Sequence, residues 1–435
     1  MIIFASAPAG LGHLRVTQAL YHGLPGARNA LILGAQDHSV SYLHRLTSIH
    51  PLSRAIMEWG QQGVPEDLFT WSYRRYLRAT TKLLYEQLTT ILDERLEAAQ
   101  TVLVVATHFG LAHQLSALKD QLQQERNVRI ILVVCVTDDS PQHIWYVPGA
   151  DLIVTPSEST RQALVTYGKA MGLAPVEFAV IPYPVSTQLN KPLTEGEFSC
   201  RKRQLDAQKT EPITVMIPVS GAAVGLDFFL KLLDELFTRS NRFHFQVVVK
   251  TSVYTQPFIS KLHKRSYVTI HTTGSDREIV DLYDTVYRQK VIGLEVTKPS
   301  EQAFKALMRP NHRGGSILLF SQPVGRQEYD NLAFLSRHQL IPESGTQEKL
   351  WDLAQKKQNV TSEIKTLAKF WRGIKLPSQP ERAAEYIWWS LEQEIFRNML
   401  TCPIFPRASD PHAHELTPDG VSKFWQRVAQ LVSGF

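Results

Sequence analysis

His13 lies in the stretch APAGLGHLRV, residues 7–16, directly behind the apolar run MIIFAS. A strand that runs into Gly10 and Gly12 and then a helical pattern brings backbone N–H groups close to a ligand. The dinucleotide fingerprint needs a third glycine where Arg15 stands, so that reading is weak. His13 falls at the start of the following helix, whose positive end disfavours a second positive charge. A neutral imidazole there is a usable general base; the competing reading is a histidine that caps or packs the helix start. VTDDSPQHIWYVPGAD, residues 136–151, follows the strand pattern IILVVC and sets Asp138, Asp139 and His143 at a strand's carboxyl end. Asp138 could orient a catalytic group or hold an acceptor hydroxyl, or it could cap the next turn. Paired acids also suit a divalent cation, but no other acidic cluster completes a metal site. THFG, 107–110, places His108 on the acceptor side or in a solvated loop.

The second half carries polar groups suited to a phosphate and a sugar. VSGAAVG, 219–225, follows ITVMIP and precedes a helix, so Ser220 and Gly221 could cradle a diphosphate at the free N–H groups of that helix. Tight strand–helix packing is the plainer account. TKPSEQAFKAL, 297–307, offers Lys298 as a point charge for phosphate. SQPVGRQEYDNLAFL, 321–335, sets Gln327, Glu328 and Asn331 at a loop–helix start, where they could bind sugar hydroxyls or only complement the helix. Residues 49–78 mix Trp59, Phe69, Trp71 and Tyr73 with Arg54, Arg74, Arg75 and Arg78. The stretch reads first as a partly buried helix pair with solvated arginines. Contact with an anionic bilayer is the other reading.

These residues need a scaffold that collects strand ends. MIIFAS, NALILGA, TVLVVATH, IILVVCVTD, ADLIVTP and EFAVIPYPV read as strands separated by helical patterns such as 72–97 and 110–124. ITVMIPVS, HFQVVVKTS, YVTIHTT, KVIGLEVTK and SILLFSQ begin a second set beyond a polar stretch near 186–211. The alternation predicts an α/β chain of two tandem Rossmann-like doubly wound domains with a cleft between them, ligands lying at the carboxyl ends of the strands. The expected division is an acceptor-side domain over 1–190, a linker over 191–211, a donor-nucleotide domain over 212–375 and a helical segment over 376–435 that packs back on the first domain. In that last segment Pro380 and Glu381 suit a helix start, and Tyr386, Trp389 and Ile395 share an apolar stripe.

The 435 residues suffice for two domains, and 43% hydrophobic with 20% charged residues is a soluble globular composition. No apolar run reaches the roughly 18 residues of a membrane helix, and no signal-peptide pattern is seen. Cys135, Cys200 and Cys402 are far apart, without metal spacing, which fits a reducing cytoplasm. A net charge of +6 favours anionic partners weakly, and nucleic-acid signatures are missing.

Taken in order, these segments resemble the GT-B glycosyltransferases, most closely the monogalactosyldiacylglycerol synthase-like branch of glycosyltransferase family 28. GLGH is similar to that branch's glycine-glycine-histidine loop, VTDDSPQHIWYVPGADLIVTPSESTRQAL to its Thr-Asp, His-Trp and Pro-Ser-Glu segment, and QPVGRQEYDN to its nucleotide-sugar loop with Arg326 inserted. The resemblance spans roughly residues 1–340. It implies an inverting transfer of a sugar from a UDP-sugar to a lipid or lipid-linked hydroxyl without a cofactor or metal. On that pattern His13 is the base and Asp138 a second catalytic residue. Gly10, Gly12, His108, His143 and Trp145 lie on the acceptor side. Ser220, Gly221, Thr297, Lys298, Glu301, Gln327, Glu328 and Asn331 hold the donor. Peripheral contact at the inner face of a membrane accompanies the cytoplasmic reading. There are departures. The turn at 297–307 has no glycine, Lys305 stands where the ribose-holding acid is expected, with Glu301 a substitute from another place, and Thr251 and Ser252 replace a glycine-asparagine turn. Two other readings stay open: a nucleotide-sugar 2-epimerase of the same architecture, and a non-catalytic sugar-nucleotide or lipid sensor.

Overall fold

The computed structural model describes residues 1–7, 11–26, 30–34, 63–95, 101–219, 223–401 and 412–433. Among the described residues, twelve strands form two separate six-stranded sheets, parallel throughout. The first holds β1 (Ile2–Ser6), β2 (Ala30–Gly34), β3 (Thr101–Ala106), β4 (Arg129–Cys135), β5 (Leu152–Thr155) and β6 (Phe178–Val180), in the order β2-β1-β3-β4-β5-β6. Its inner strands are runs of Ile, Val, Leu and Ala buried on both faces, as helices above and below a parallel sheet require.

The second sheet holds β7 (Ile213–Pro218), β8 (Phe243–Lys250), β9 (Val268–Thr273), β10 (Leu294–Thr297), β11 (Ile317–Phe320) and β12 (Gly373–Lys375), in the order β12-β11-β10-β7-β8-β9. That is the doubly wound Rossmann order. All eleven strands expected from the sequence are present; β12, three residues long, escaped the pattern because it is too short to show one.

The topology locates the ligand-binding ends. Strand order reverses between β1 and β3 in the first sheet and between β7 and β10 in the second. At such a switch point the loops at the carboxyl ends of the two strands diverge and leave a crevice. The loop after β1 leads to His13 and β3 leads to Thr107 and His108. The loop after β7 leads to Ser220 and β10 leads to Lys298.

The chain divides into two compact units, Met1–Pro184 with Asp419–Phe435, and Val185–Pro418. Two expectations change. Residues 191–211 are not a bare linker. Thr194 and Glu197 form a capping box that starts the helix Glu195–Gln204, and Arg201 of that helix is fully buried in the second unit. Its guanidinium donates to the carbonyls of Ile292, Pro310, His312 and Arg313. Nor is 376–435 one segment packed on the first unit. The helices Pro380–Glu392 and Ile395–Met399 belong to the core of the second, with Ala383, Ile387, Phe396 and Met399 fully enclosed. The chain breaks between them at Glu394, φ 61°, which turns Ile395 into the same core as Tyr386 and Trp389. Among the described residues of this segment, the final helix, Gly420–Ser433, is the part that packs with the first unit, where Trp425 Nε1 donates to Leu20 O at 3.0 Å.

Candidate functional site

In the first unit the helix Leu11–His22 starts soon after β1 and presents His13 in its first turn. His13 Nδ1 lies 2.7 Å from the carbonyl oxygen of Thr107 and 3.1 Å from Thr137 Oγ1. A carbonyl can only accept, so Nδ1 carries the proton and the lone pair falls on Nε2. The helix itself is pinned here. Thr17 Oγ1 donates to His13 O at 2.8 Å and lies 2.7 Å from Thr107 Oγ1, which must therefore be the donor of that pair. β1, β3 and β4 thus each contribute to the orientation of one imidazole, through the helix after β1, Thr107 after β3 and Thr137 after β4.

Aromatic rings surround it. His108 lies edge-on at 5.0 Å between centroids, Trp145 at 6.1 Å and Phe109 at 6.4 Å. His108 also caps the helix Phe109–Arg126, accepting from Leu111 N at 3.4 Å, so capping and site-lining coexist in one side chain. Trp145 is buried.

The other expected residues disperse. Asp138 is partly buried in the bend after β4. Asp139 is buried and accepts from Ser157 Oγ, the N-cap side chain of the helix Glu158–Ala170, and from Thr160 Oγ1 at 2.8 Å. His143 turns to the helix Gly63–Ala79. Its Nδ1 lies 2.7 Å from Asp67 Oδ1, its N–H donates to Glu66 Oε1 at 2.9 Å, and its ring stacks on Tyr167 at 3.9 Å. Gly12 is helical, and Gly10 lies outside the described residues. Thr107, Thr137 and Thr17 were missed. Their positions after β3 and β4 and at i+4 from His13 were the available signal.

In the second unit, Lys298 follows β10 and Glu328 sits in the first turn of the helix Arg326–Arg337. Lys298 Nζ lies 3.7 Å from Glu328 Oε1, and Glu328 Oε2 accepts from Val324 N at 2.7 Å. Asn331, fully buried, donates to Pro299 O at 3.2 Å. Thr297 O accepts from Ser321 N at 2.9 Å. Thr297, Lys298, Glu328 and Asn331 are therefore one assembly across the ends of β10 and β11. Glu301 opens the turn Glu301–Leu307 and Gln327 lies beside Glu328 on its helix. Ser220 and Gly221 lie outside the described residues; behind them Ala223 (φ 51°) and Gly225 (φ 82°) lead into the helix Leu226–Arg239.

Lys305 is not a ligand-facing replacement for an acid. It is buried against Glu295 of β10 and donates to Tyr283 OH at 2.7 Å and Tyr287 OH at 2.5 Å. Among the described residues no group of three or more His, Cys, Asp or Glu side chains is arranged to hold a metal ion, and no helix is long and apolar enough to cross a membrane.

Two Rossmann-like units, each on a six-stranded parallel sheet, define the GT-B fold. Among solved structures, S. aureus MnaA in a co-structure with UDP is similar, with a TM-score of 0.50 at 10% identity over 99% of this chain and 96% of that one. The UDP-GlcNAc 2-epimerase from Neisseria meningitidis bound to UDP-GlcNAc gives 0.48 at 10% identity over 99% of each chain. Spinosyn rhamnosyltransferase SpnG gives 0.45 at 11% over 95% of this chain and 98% of that one. At these identities the likeness extends to the fold. No protein-family model and no curated protein matches this chain.

Proposed function

We propose that the protein is an inverting glycosyltransferase that moves a sugar from a nucleotide-sugar, a UDP-sugar first of all, to a lipid or lipid-linked hydroxyl. The observation that carries this reading is the His13 ring, oriented at a sheet switch point with its proton on Nδ1 against Thr107 O. A neutral imidazole held in one tautomer is a general base with a defined reactive nitrogen. In the proposed step Nε2 takes the acceptor's hydroxyl proton as that oxygen bonds to the anomeric carbon. The bond from that carbon to the diphosphate breaks, and the nucleoside diphosphate leaves with the bonding pair. Lys298 is the group proposed to meet the departing negative charge, with Glu328 restraining the ammonium. Gln327 and Asn331 are proposed to set the donor's orientation. Asp138, His108 and Trp145 are proposed for the acceptor side. The UDP held by S. aureus MnaA, a protein of similar fold, supports the choice of nucleotide.

The test is a panel of UDP-, GDP- and dTDP-sugars assayed for released nucleotide and product, with and without diacylglycerol or lipid extract. Acceptor-dependent UDP release is expected, reduced by about a hundredfold or more in His13→Ala, in the range for loss of a general base. Sugar conversion without acceptor would instead assign a nucleotide-sugar 2-epimerase. Saturable binding without turnover would assign a sensor.

A further inference from the structure

We propose that β9 is a docking edge for a second copy of this chain, which pairs with it antiparallel about a two-fold axis and joins the second sheets of the two copies into one. An edge strand presents a row of unpaired N–H and C=O groups, and soluble proteins blunt such edges with short strands, proline or charge. Two of the other edges follow that rule. β6 and β12 are three residues each and are soon followed by Pro182 and Pro377. β9 does not follow it. The strand spans Val268–Thr273, and the stretch SYVTIHTTGS, 266–275, contains no proline, lysine, arginine or carboxylate. Its valine, isoleucine and threonines are β-branched and favour an extended chain. Thr269 and Thr272 are exposed. His271 Nε2 lies 2.9 Å from Gln246 Oε1, and partial burial, with the Lys290 charge, holds its pKa below the usual histidine value. The edge is therefore uncharged at neutral pH.

The register selects the occupant. Phe245 N donates to Tyr267 O at 2.9 Å, and Thr251 N to Thr273 O at 2.8 Å. Alternate residues of a strand share one edge, so Thr269 and His271 also bond to β8, while Val268, Ile270 and Thr272 turn their backbone groups outward. Arg265 O takes up the Val268 N–H at 3.2 Å. An antiparallel copy centred on Ile270 matches what is left. Ile270 N–H and C=O exchange with their counterparts, and Thr272 N–H meets Val268 O once in each direction. Charge fits the same arrangement. Lys261 and Lys264 are exposed near the amino end of β9 and Glu278 and Asp281 near its carboxyl end, with Arg277 against the pattern. Antiparallel pairing sets each end against the opposite charge of the other copy, a match that an unrelated extended segment has no reason to make. The strands of the two copies then run in opposite directions, so the carboxyl ends that carry Lys298 point away from each other.

No turnover is needed to test this. A single strand pair is a small interface, so sedimentation velocity of the full chain over roughly 1–300 µM should show a monomer–dimer equilibrium with a dissociation constant on the order of 10 µM. Amide exchange resolved by residue should slow at Ile270 and Thr272 as concentration rises. It should stay unchanged at Thr269 and His271, whose N–H groups are already bonded to β8. Thr272→Pro removes an outward donor from each copy without touching the β8 ladder, and should weaken the dimer about tenfold or more. Thr272→Lys, at the same exposed position, should weaken it as well and covers the case in which the proline variant does not fold. Lys261→Glu with Lys264→Glu should weaken the dimer about tenfold. Adding Glu278→Lys with Asp281→Lys should restore it, because the reversed ends again face opposite charge. A monomer at every concentration overturns the proposal. A dimer without added protection at Ile270 and Thr272, or one indifferent to both Thr272 variants, is built on another surface and overturns it equally. No loss on charge reversal, or no recovery in a folded fourfold variant, overturns the antiparallel pairing.

Discussion

A carbonyl oxygen decides which nitrogen of His13 holds the proton, and a different contact decides the state of a second histidine in the same unit. His113 is fully buried, with Nε2 2.9 Å from Ile144 O and its pKa pushed down to about 3 by burial and by the nearby Arg74 charge. The neutral ring is therefore the folded form. An unfolded histidine takes up a proton near pH 6.5, so this contribution to stability is complete above that pH and is lost as pH falls toward 3. The loss amounts to at most about 1.4 kcal/mol per pH unit. Urea unfolding of the wild type should weaken between pH 7 and pH 5. His113→Gln, which keeps a donor for Ile144, should remove part of that slope; an identical slope in the variant would exclude His113 as a source. The place of His13 behind the first strand was legible in the sequence, because a histidine after a glycine turn and a strand is a visible signal. The contacts of Thr107 and Thr137 with that ring were not legible. A threonine after a strand looks like every other threonine until the sheet order sets it beside the ring. Asp138 and Asp139 show the same limit: adjacent acids are indistinguishable by type, and only the fold turns Asp139 to the cap of the helix Glu158–Ala170.

The turn Glu301–Leu307 and the strand β10 are joined by a buried ion pair. Glu295 is fully buried and accepts from Tyr283 OH at 2.6 Å and from Lys305, and the Lys305 ammonium is also over the Tyr287 ring at 4.0 Å. Removing one member strands a charge where water cannot reach it. Lys305→Met should therefore cost about 3–5 kcal/mol, while Lys305→Met with Glu295→Met should recover a large part of that loss. A urea double-mutant cycle checks this, and equal losses in the single and double variants would count against the pair. Lys305, at the position where the sequence analysis expected an acid, is thus committed to holding the turn that follows Lys298. Strands were legible as elements because parallel strands buried on both faces are unbroken runs of Ile, Val and Leu. The helix Glu195–Gln204 was not, because it has no apolar stripe. Its core contact is Arg201, which reads as surface, and the one local clue was the capping box of Thr194 and Glu197. The pattern over 380–400 likewise gave the buried stripe but not the break at Glu394, since a left-handed residue leaves the spacing of apolar side chains almost intact.

Across the whole molecule, the second unit is continuous in sequence, Val185–Pro418, and the first is not: it needs Asp419–Phe435. The helix Gly420–Ser433 buries Val421, Phe424, Trp425, Val428 and Leu431. Trp425 meets the Phe4 ring of β1 edge-on at 6.1 Å and donates to Leu20 O, so the helix covers the start of the unit that carries His13. Burying an apolar side chain contributes about 1.5–3 kcal/mol. Five of them give a gross contribution on the order of 10 kcal/mol, as large as the net stability of a typical domain. Residues 185–418 expressed alone should fold, with a cooperative urea transition by far-UV circular dichroism. Residues 1–184 alone should lack such a transition and regain it when a peptide of residues 419–435 is added. An equally stable 1–184 with and without the peptide would show that the helix is a passenger. The expected result makes the first unit, and with it the orientation of His13, the one part of the fold that cannot form until the last helix is available. If the proposed function holds, with the second unit as the donor-nucleotide domain, truncation after Pro418 should then abolish turnover and leave UDP binding intact, a split that calorimetry with UDP can resolve.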